Sequence, residues 1–232
     1  MEHIVLLTGA GISADSGLKT FRDADGLWEG HSIDEVASID GWFQDKQKVL
    51  HFYNIRREQA AEAKPNEAHL SITELEKKYR VTVITQNVDD LHERAGNSTV
   101  IHLHGLLREA RSEKDEDLIT DIGSKPILLG ELAADGSQLR PNIVWFGEAV
   151  PKIEIAAQKV AEADIFIVVG TSLAVYPAAG LIHYTKQSIP KYIVDPKVPE
   201  IVLSNEWTHI QTKAKEGMPQ LVKRLINRYN DK

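Results

Sequence analysis

Short, unbroken apolar runs punctuate this chain at residues 3–7, 81–85, 164–170, 191–194 and 208–211, and another falls within 141–148. Runs of this length, rich in β-branched residues and without alternation, predict strands buried on both faces, as in a parallel sheet. Helical spacing fills the gaps. Residues 34–62 read as one helix with Phe43, Val49, Leu50, Tyr53 and Ile55 as its apolar positions, although the period is imperfect. Asn66 is an N-cap for a second helix, whose stripe is Ala68, Ile72, Leu75 and Tyr79. Residues 151–163 form a third. A last helix has Pro219 near its start and Leu221, Val222, Leu225, Ile226 and Tyr229 as its apolar face. Residues 100–105 alternate apolar residues with histidine, as a half-buried strand does, so His102 and His104 point the same way. Composition shifts at 108–140, which is charged, contains Gly and Ser, and has only weak strand signals at 118–122 and 127–129. Strands alternating with helices predict an α/β fold: a doubly wound parallel sheet made by residues 1–32, 80–107 and 141–232. Residues 33–79 and 108–140 are two insertions that form a small module.

Chemistry gathers at the strand ends. Thr8-Gly9-Ala10-Gly11-Ile12-Ser13-Ala14-Asp15-Ser16-Gly17 stands at the mouth of the first strand, and Gly9, Gly11 and Ala14 satisfy the dinucleotide fingerprint with Ala in the third glycine position. Glycines there let the backbone approach a ligand, and the following amides can bind phosphate; a tight turn without a ligand is the alternative. No crossover helix fits between Leu18 and His31, where Phe21, Leu27 and Trp28 favour a lid over a disordered linker. Gln86-Asn87-Val88-Asp89-Asp90 ends the second long strand; these side chains either cap the next helix or hold ribose hydroxyls or a carboxamide. His104, next to Gly105, is a candidate general base, with His102 the structural partner. Gly170-Thr171-Ser172 is a second strand-end turn with donors for phosphate or ribose. Tyr53 and Arg56, three residues apart, share a helix face; a core tyrosine beside solvated Arg56 and Arg57 is the bland alternative.

Composition narrows the classes. The 232 residues, 42% hydrophobic and 26% charged, suit a soluble globular protein with a full core. No apolar run approaches the roughly 18 residues of a membrane span, and no signal-peptide pattern is seen, so the expectation is a cytoplasmic protein without a membrane partner. A formal charge of −7 argues against nucleic acid. Zero cysteines exclude disulfides, thiolate metal sites and a cysteine nucleophile. The 9 histidines show no metal-ligand spacing, so no metal is expected.

Taken in order, Gly9-Ala10-Gly11-Ile12-Ser13 with Asp15-Ser16-Gly17, Pro65-Asn66-Glu67-Ala68-His69, Thr85-Gln86-Asn87-Val88-Asp89, His102-Leu103-His104-Gly105, Phe146-Gly147-Glu148 and Gly170-Thr171-Ser172 resemble the sirtuin family of NAD-dependent protein-lysine deacylases. The resemblance covers most of the chain, and it implies a Rossmann-like fold with NAD as cofactor. It implies that Gly9, Ala10, Gly11, Ile12, Ser13 and Asp15 form the pyrophosphate turn, and that Thr20, Phe21, Arg22 and Trp28 belong to the loop over the nicotinamide ribose. Gln86, Asn87 and Asp89 would hold the ribose and the carboxamide, with Gly170, Thr171, Ser172, Asp195 and Ala214 completing the cofactor site. His104 matches the catalytic histidine, with Asn87 beside it. The acylated lysine of a protein or peptide would lie between Phe146, Gly147 and Glu148 on one side and Val175 with its neighbours on the other, as an added strand. The implied reaction transfers the acyl group to ADP-ribose, giving free lysine, nicotinamide and O-acyl-ADP-ribose; transfer of ADP-ribose to protein or water, or NAD sensing without catalysis, are the alternatives. In the subgroup that prefers acidic acyl chains a Tyr-x-x-Arg pair reads the distal carboxylate, and Tyr53-Asn54-Ile55-Arg56 fits, with Ala24 as the small residue of the cofactor loop. Two departures stand out: the four zinc-binding cysteines of the family's small module are missing, and Asp195 stands where many relatives have Asn.

Overall fold

The computed structural model describes residues 1–19, 30–198 and 206–230. In chain order the elements are β1 (His3–Thr8), α1 (Ile33–Val36), α2 (Ile39–Gln44), α3 (Lys46–Glu62), α4 (Glu67–Leu75), β2 (Arg80–Thr85), α5 (Leu91–Ala95), β3 (Val100–His102), β4 (Gly105–Ser112), β5 (Ile119–Asp121), β6 (Leu139–Ile143), α6 (Ile153–Glu162), β7 (Ile165–Val169), β8 (Lys191–Val194), β9 (Trp207–Ile210) and α7 (Ala214–Asn230). Short 3-10 turns stand at Ala10–Ile12, Ala14–Ser16 and Ala178–Tyr184.

Six strands form one parallel sheet in the order β3-β2-β1-β7-β8-β9. The winding reverses between β1 and β7, so their carboxyl ends open a crevice at the switch point. Every residue of β1 is buried, and its alternate side chains serve two cores. Ile4 and Leu6 pack with Ile12, α4 and α7, whereas Val5 and Leu7 pack with α6 and the Ala178–Tyr184 turn. Ala68, Ile72, Leu75 and Tyr79 are all in the first of these cores, as their spacing predicts.

The buried histidines His69 and His92 lie edge to face between α4 and α5, with ring centroids 4.9 Å apart. Burial lowers their pKa values to about 3 and about 4, so both are neutral in the fold. The unfolded chain binds those two protons near pH 6.5 and the native chain only near 3 to 4. Stability is therefore full above pH 6.5 and falls on acidification through that window, by up to about 1.4 kcal/mol per pH unit for each histidine. Urea titrations between pH 7 and 4.5 should show this slope; a midpoint independent of pH would contradict it.

The small module differs from the expected single helix over 34–62. Ser32 caps its start in a capping box with Glu35, and two further caps divide it: Ser38 accepts from the Gly41 amide, and Asp45 accepts from the Lys48 amide. Each is a helix start with a sequence signal. Phe43 and Ile55, expected to be apolar core positions, are exposed, while Trp42, Val49, Phe52 and Tyr53 fill the core with Leu107, Ile143 and Trp145. A three-stranded antiparallel sheet, β5-β4-β6, completes the module. Thus β6, expected as a return to the main sheet, pairs with β4 instead, and the expected boundary at 141 falls inside it. No strand forms at 127–129.

Hydrogen bonds tie the loops of the cysteine-free module. Ser112 donates to Asp135 at 2.6 Å, accepts from the Ser137 hydroxyl at 2.7 Å, and accepts from the Lys114 and Asp115 amides. Gln138 donates to the carbonyls of Leu128, Glu131 and Leu139 and accepts from the Gly130 amide. Gln138 is buried, so Gln138→Ala should cost about 1 to 3 kcal/mol in chemical unfolding by stranding these groups. An unchanged midpoint would show that the apolar core alone holds the module.

Candidate active site

Two strand-end turns interlock at the switch point. Gly9 and Gly11 donate their amides to the carbonyls of Val169 and Gly170, at 3.0 and 2.8 Å. A Cβ on Gly11 would lie 2.7 Å from the Gly170 Cα, and one on Gly170, which has φ +61°, would lie 2.4 Å from the Ile12 nitrogen. The glycines expected to admit a ligand are therefore required first by the neighbouring turn. Ile12 is fully buried in the core, with its carbonyl accepting from Asn66 Nδ2, so its contribution to the turn is packing.

A cavity of about 730 Å³ extends from this crossing toward the module. Gly9, Ala10, Gly11, Ser13, Asp15, Gln86, Asn87, Asp89, His104, Gly170, Thr171, Ser172, Asp195 and Ala214 all line it. Tyr53, Arg56, Phe146, Gly147, Glu148 and Val175 line it as well, so one space joins every candidate residue in the described part of the chain except Ile12. Thr20, Phe21, Arg22, Ala24 and Trp28, with most of the expected lid, lie outside the described residues. The motif reading missed Leu107, Trp145, Lys197 and Lys213, which also line the cavity. Trp145 adjoins a recognised motif, and Lys197 and Lys213 stand beside the candidates Asp195 and Ala214, whereas Leu107 carries no local signal.

The β2 end is held rigidly. Asn87 Nδ2 donates to Ser13 Oγ at 3.1 Å, and Ser13 Oγ donates to Asp89 Oδ2 at 3.0 Å. That chain of bonds joins the glycine turn to the β2 loop and commits the Ser13 hydroxyl, which was expected to face pyrophosphate. Burial raises the Asp89 pKa, opposed by the Leu91 amide and the Ser13 hydroxyl. Gln86 Nε2 donates to Thr171 Oγ1 at 3.2 Å, linking the same loop to the second turn. Burial likewise raises the pKa of Asp195, beside the end of β8.

The expected continuous strand at 100–105 stops at His102, and the chain crosses to the module through Leu103 and His104. Gly105, at φ +82°, lets β4 close on β6, because a Cβ there would lie 1.9 Å from the Asn142 oxygen. His104 Nδ1 donates to the Gln86 carbonyl at 3.0 Å. This bond sets the tautomer, leaving Nε2 as the basic nitrogen, and burial lowers the pKa so that the ring is neutral near pH 7. His102 sets its Nδ1 on the adjacent Asn87 carbonyl and its Nε2 on Glu93, at 2.7 Å, as a structural histidine does.

On α3, Tyr53 is fully buried and Arg56 is 8% exposed, with its guanidinium 5.8 Å from the Phe52 ring centre. Arg57 is also buried rather than solvated. It donates to the Leu107 carbonyl and Asn54 Oδ1, and lines a separate cavity of about 260 Å³. Burial lowers the Arg57 pKa to about 10. Glu148, expected to bind substrate, has its carboxylate occupied by Arg140, Arg111 and the Trp145 amide. Among the described residues no cluster of three or more His, Asp or Glu could hold a metal, and no helix is long and apolar enough to cross a membrane.

Comparison with known proteins converges on one family. The sequence model of the Sir2 family matches residues 9–177. An NAD-dependent protein deacylase of Helicobacter pylori (strain ATCC 700392 / 26695) is 54% identical over 226 residues, covering 97% of this chain and 98% of that protein. One of the same name from Bacteroides thetaiotaomicron is 48% identical over 231 residues, covering 97% and 99%. Among solved structures, a variant Sir2 homologue in complex with ADP-ribose superposes with a TM-score of 0.90 at 39% identity, covering 99% of this chain and 94% of that one. A Sir2 homologue in complex with NAD gives 0.88 at 39%, covering 98% and 90%. With the matched segment holding both strand-end turns, His104 and the α3 pair, the chain belongs to the Sir2 family.

Proposed function

We propose that the chain is an NAD-dependent protein deacylase that removes succinyl and malonyl groups, and also acetyl groups, from lysine side chains. The observation that carries this reading is the shared cavity: Tyr53 and Arg56 line it together with His104 and Asn87, whereas Arg57, the next residue, does not. The activity named for the relatives and the NAD and ADP-ribose complexes of the structural neighbours support the cofactor and the reaction.

The residues present fit NAD. The cavity lies at the switch point of a doubly wound sheet, where dinucleotides bind. Gln86, Asn87 and Asp195 offer groups for ribose hydroxyls and the carboxamide, and the two glycine-containing turns would hold the diphosphate. When bound, NAD would supply an electrophilic ribose carbon for the acyl oxygen. His104 would take a proton from a ribose hydroxyl at Nε2, while the Gln86 carbonyl holds its Nδ1–H. Asn87, pinned through Ser13 to Asp89, orients the reacting end of the cofactor. At the module end of the cavity Arg56 supplies a cation and Tyr53 a phenol to the distal carboxylate of the acyl chain. Charge-assisted bonds of this kind contribute about 1.5 to 3 kcal/mol each.

Analysis of where ADP-ribose finishes tests the reaction. Incubation with NAD and a succinyl-lysine peptide should give one nicotinamide and one O-succinyl-ADP-ribose for each lysine freed. ADP-ribose attached to protein or released free, with the succinyl group still on lysine, would replace deacylation by transfer or hydrolysis.

A further inference from the structure

Behind Tyr53 lies a closed polar loop that ends on its hydroxyl. Trp145, 2% exposed, donates its Nε1–H to the Tyr53 oxygen at 2.9 Å. The indole cannot swing away. The Arg140 guanidinium stacks 3.4 Å from its ring centre, and the Trp42 ring centre lies 5.5 Å away. Arg140 is fixed in turn by Glu148, at 2.7 and 3.0 Å, and by the Ile143 carbonyl at 2.8 Å. Glu148 closes the loop by accepting from the Trp145 amide at 2.8 Å and gains a further bond from Arg111 at 3.2 Å. A phenol oxygen that accepts from an indole must direct its own hydrogen elsewhere, so the bond from Trp145 turns the Tyr53 O–H away from the indole and narrows its donor directions. Burial also raises the phenol pKa, which keeps that hydrogen in place.

Building on the acidic-acyl reading of the same site, we propose that Trp145 is a positioning residue for acyl selectivity. Its N–H holds the Tyr53 hydroxyl as a donor to the distal carboxylate of a succinyl or malonyl chain. Glu148 and Arg140 serve this function by immobilising the indole, which explains a half-buried ion pair at the cavity wall. Removing the N–H leaves Tyr53 in the cavity but lets its hydroxyl rotate, so that recognition of the carboxylate weakens more than recognition of acetyl.

A double-mutant cycle tests this. Trp145→Phe, Tyr53→Phe and the double variant are assayed for kcat/KM on one peptide carrying either succinyl- or acetyl-lysine. Trp145→Phe should lower the succinyl-to-acetyl ratio about three- to tenfold, mainly through KM for the succinyl peptide, and should not change the ratio further once Tyr53 is Phe. Equal loss of both activities, or an undiminished effect in the Tyr53→Phe background, would make Trp145 merely structural and overturn the proposal. If Tyr53→Phe alone leaves the ratio unchanged, the phenol takes no part in carboxylate recognition and this proposal fails; if the wild-type protein shows no succinyl preference at all, the acidic-acyl reading fails and this proposal with it. If Tyr53→Phe lowers the ratio and Trp145→Phe does not, only this proposal fails. Should Trp145→Phe not fold, benzothienylalanine at 145 keeps the ring shape without the N–H and must lower the ratio by the same factor; an unchanged ratio overturns the proposal.

Discussion

His104→Ala should reduce deacylation turnover by about 10²-fold or more while NAD affinity stays nearly intact, because a general base is lost and the strand-end turns are untouched. The expectation rests on one bond and one environment. The Gln86 carbonyl takes the Nδ1–H of His104, so Nε2 carries the lone pair, and burial keeps the ring neutral near pH 7. A base whose pKa is lowered loses activity only on acidification below the ordinary histidine value. The acid limb of kcat/KM should accordingly lie below about pH 6.5. NAD titration by calorimetry with parallel turnover assays checks both parts; near wild-type turnover in the variant would remove His104 from this role.

Arg56→Met should lower the preference for succinyl- over acetyl-lysine by about 10- to 100-fold, the worth of one charge-assisted hydrogen bond at about 1.4 kcal/mol per tenfold. Acetyl has no distal carboxylate, so the ratio isolates the effect from general damage. Arg57 gives the contrast. Its bonds to Leu107 and Asn54 are structural, so Arg57→Met should lower thermal stability and both activities together without moving the ratio. Gln59, exposed on the same helix, is the neutral control. Competition between succinyl- and acetyl-peptides in one tube measures the ratio directly. An equal shift in Arg56→Met and Arg57→Met would assign both arginines to folding.

The parallel sheet was legible because buried strands such as β1 and β7 are continuous apolar runs, and the site because its residues sit at strand ends within short motifs. The α3 region was less so. Its apolar period is interrupted by the caps Ser38 and Asp45, and helix starts are marked by single polar residues that periodicity ignores. The burial of Arg57 was hidden for a related reason: it is decided by a partner distant in sequence, Leu107, just as the bonds of Glu148 to Arg140 and Arg111 cannot be read from its motif. The glycine turn was recognised, but its cause was not, since the clash that demands Gly9 and Gly11 comes from Gly170 and Thr171, far along the chain. Nothing in the sequence marks Ser112 and Gln138 as the ties of the module, because their partners, Asp135, Ser137 and loop backbone groups, form no pattern along the chain.

The acid test of acyl preference is kcat/KM for the wild-type protein at saturating NAD on a single peptide bearing acetyl-, malonyl- or succinyl-lysine. With Arg56 and Tyr53 at the module end of the cavity, the two acidic acyl groups should be removed with about tenfold or greater efficiency than acetyl. Equal efficiencies, or a preference for acetyl, would contradict the assignment of that pair to a carboxylate.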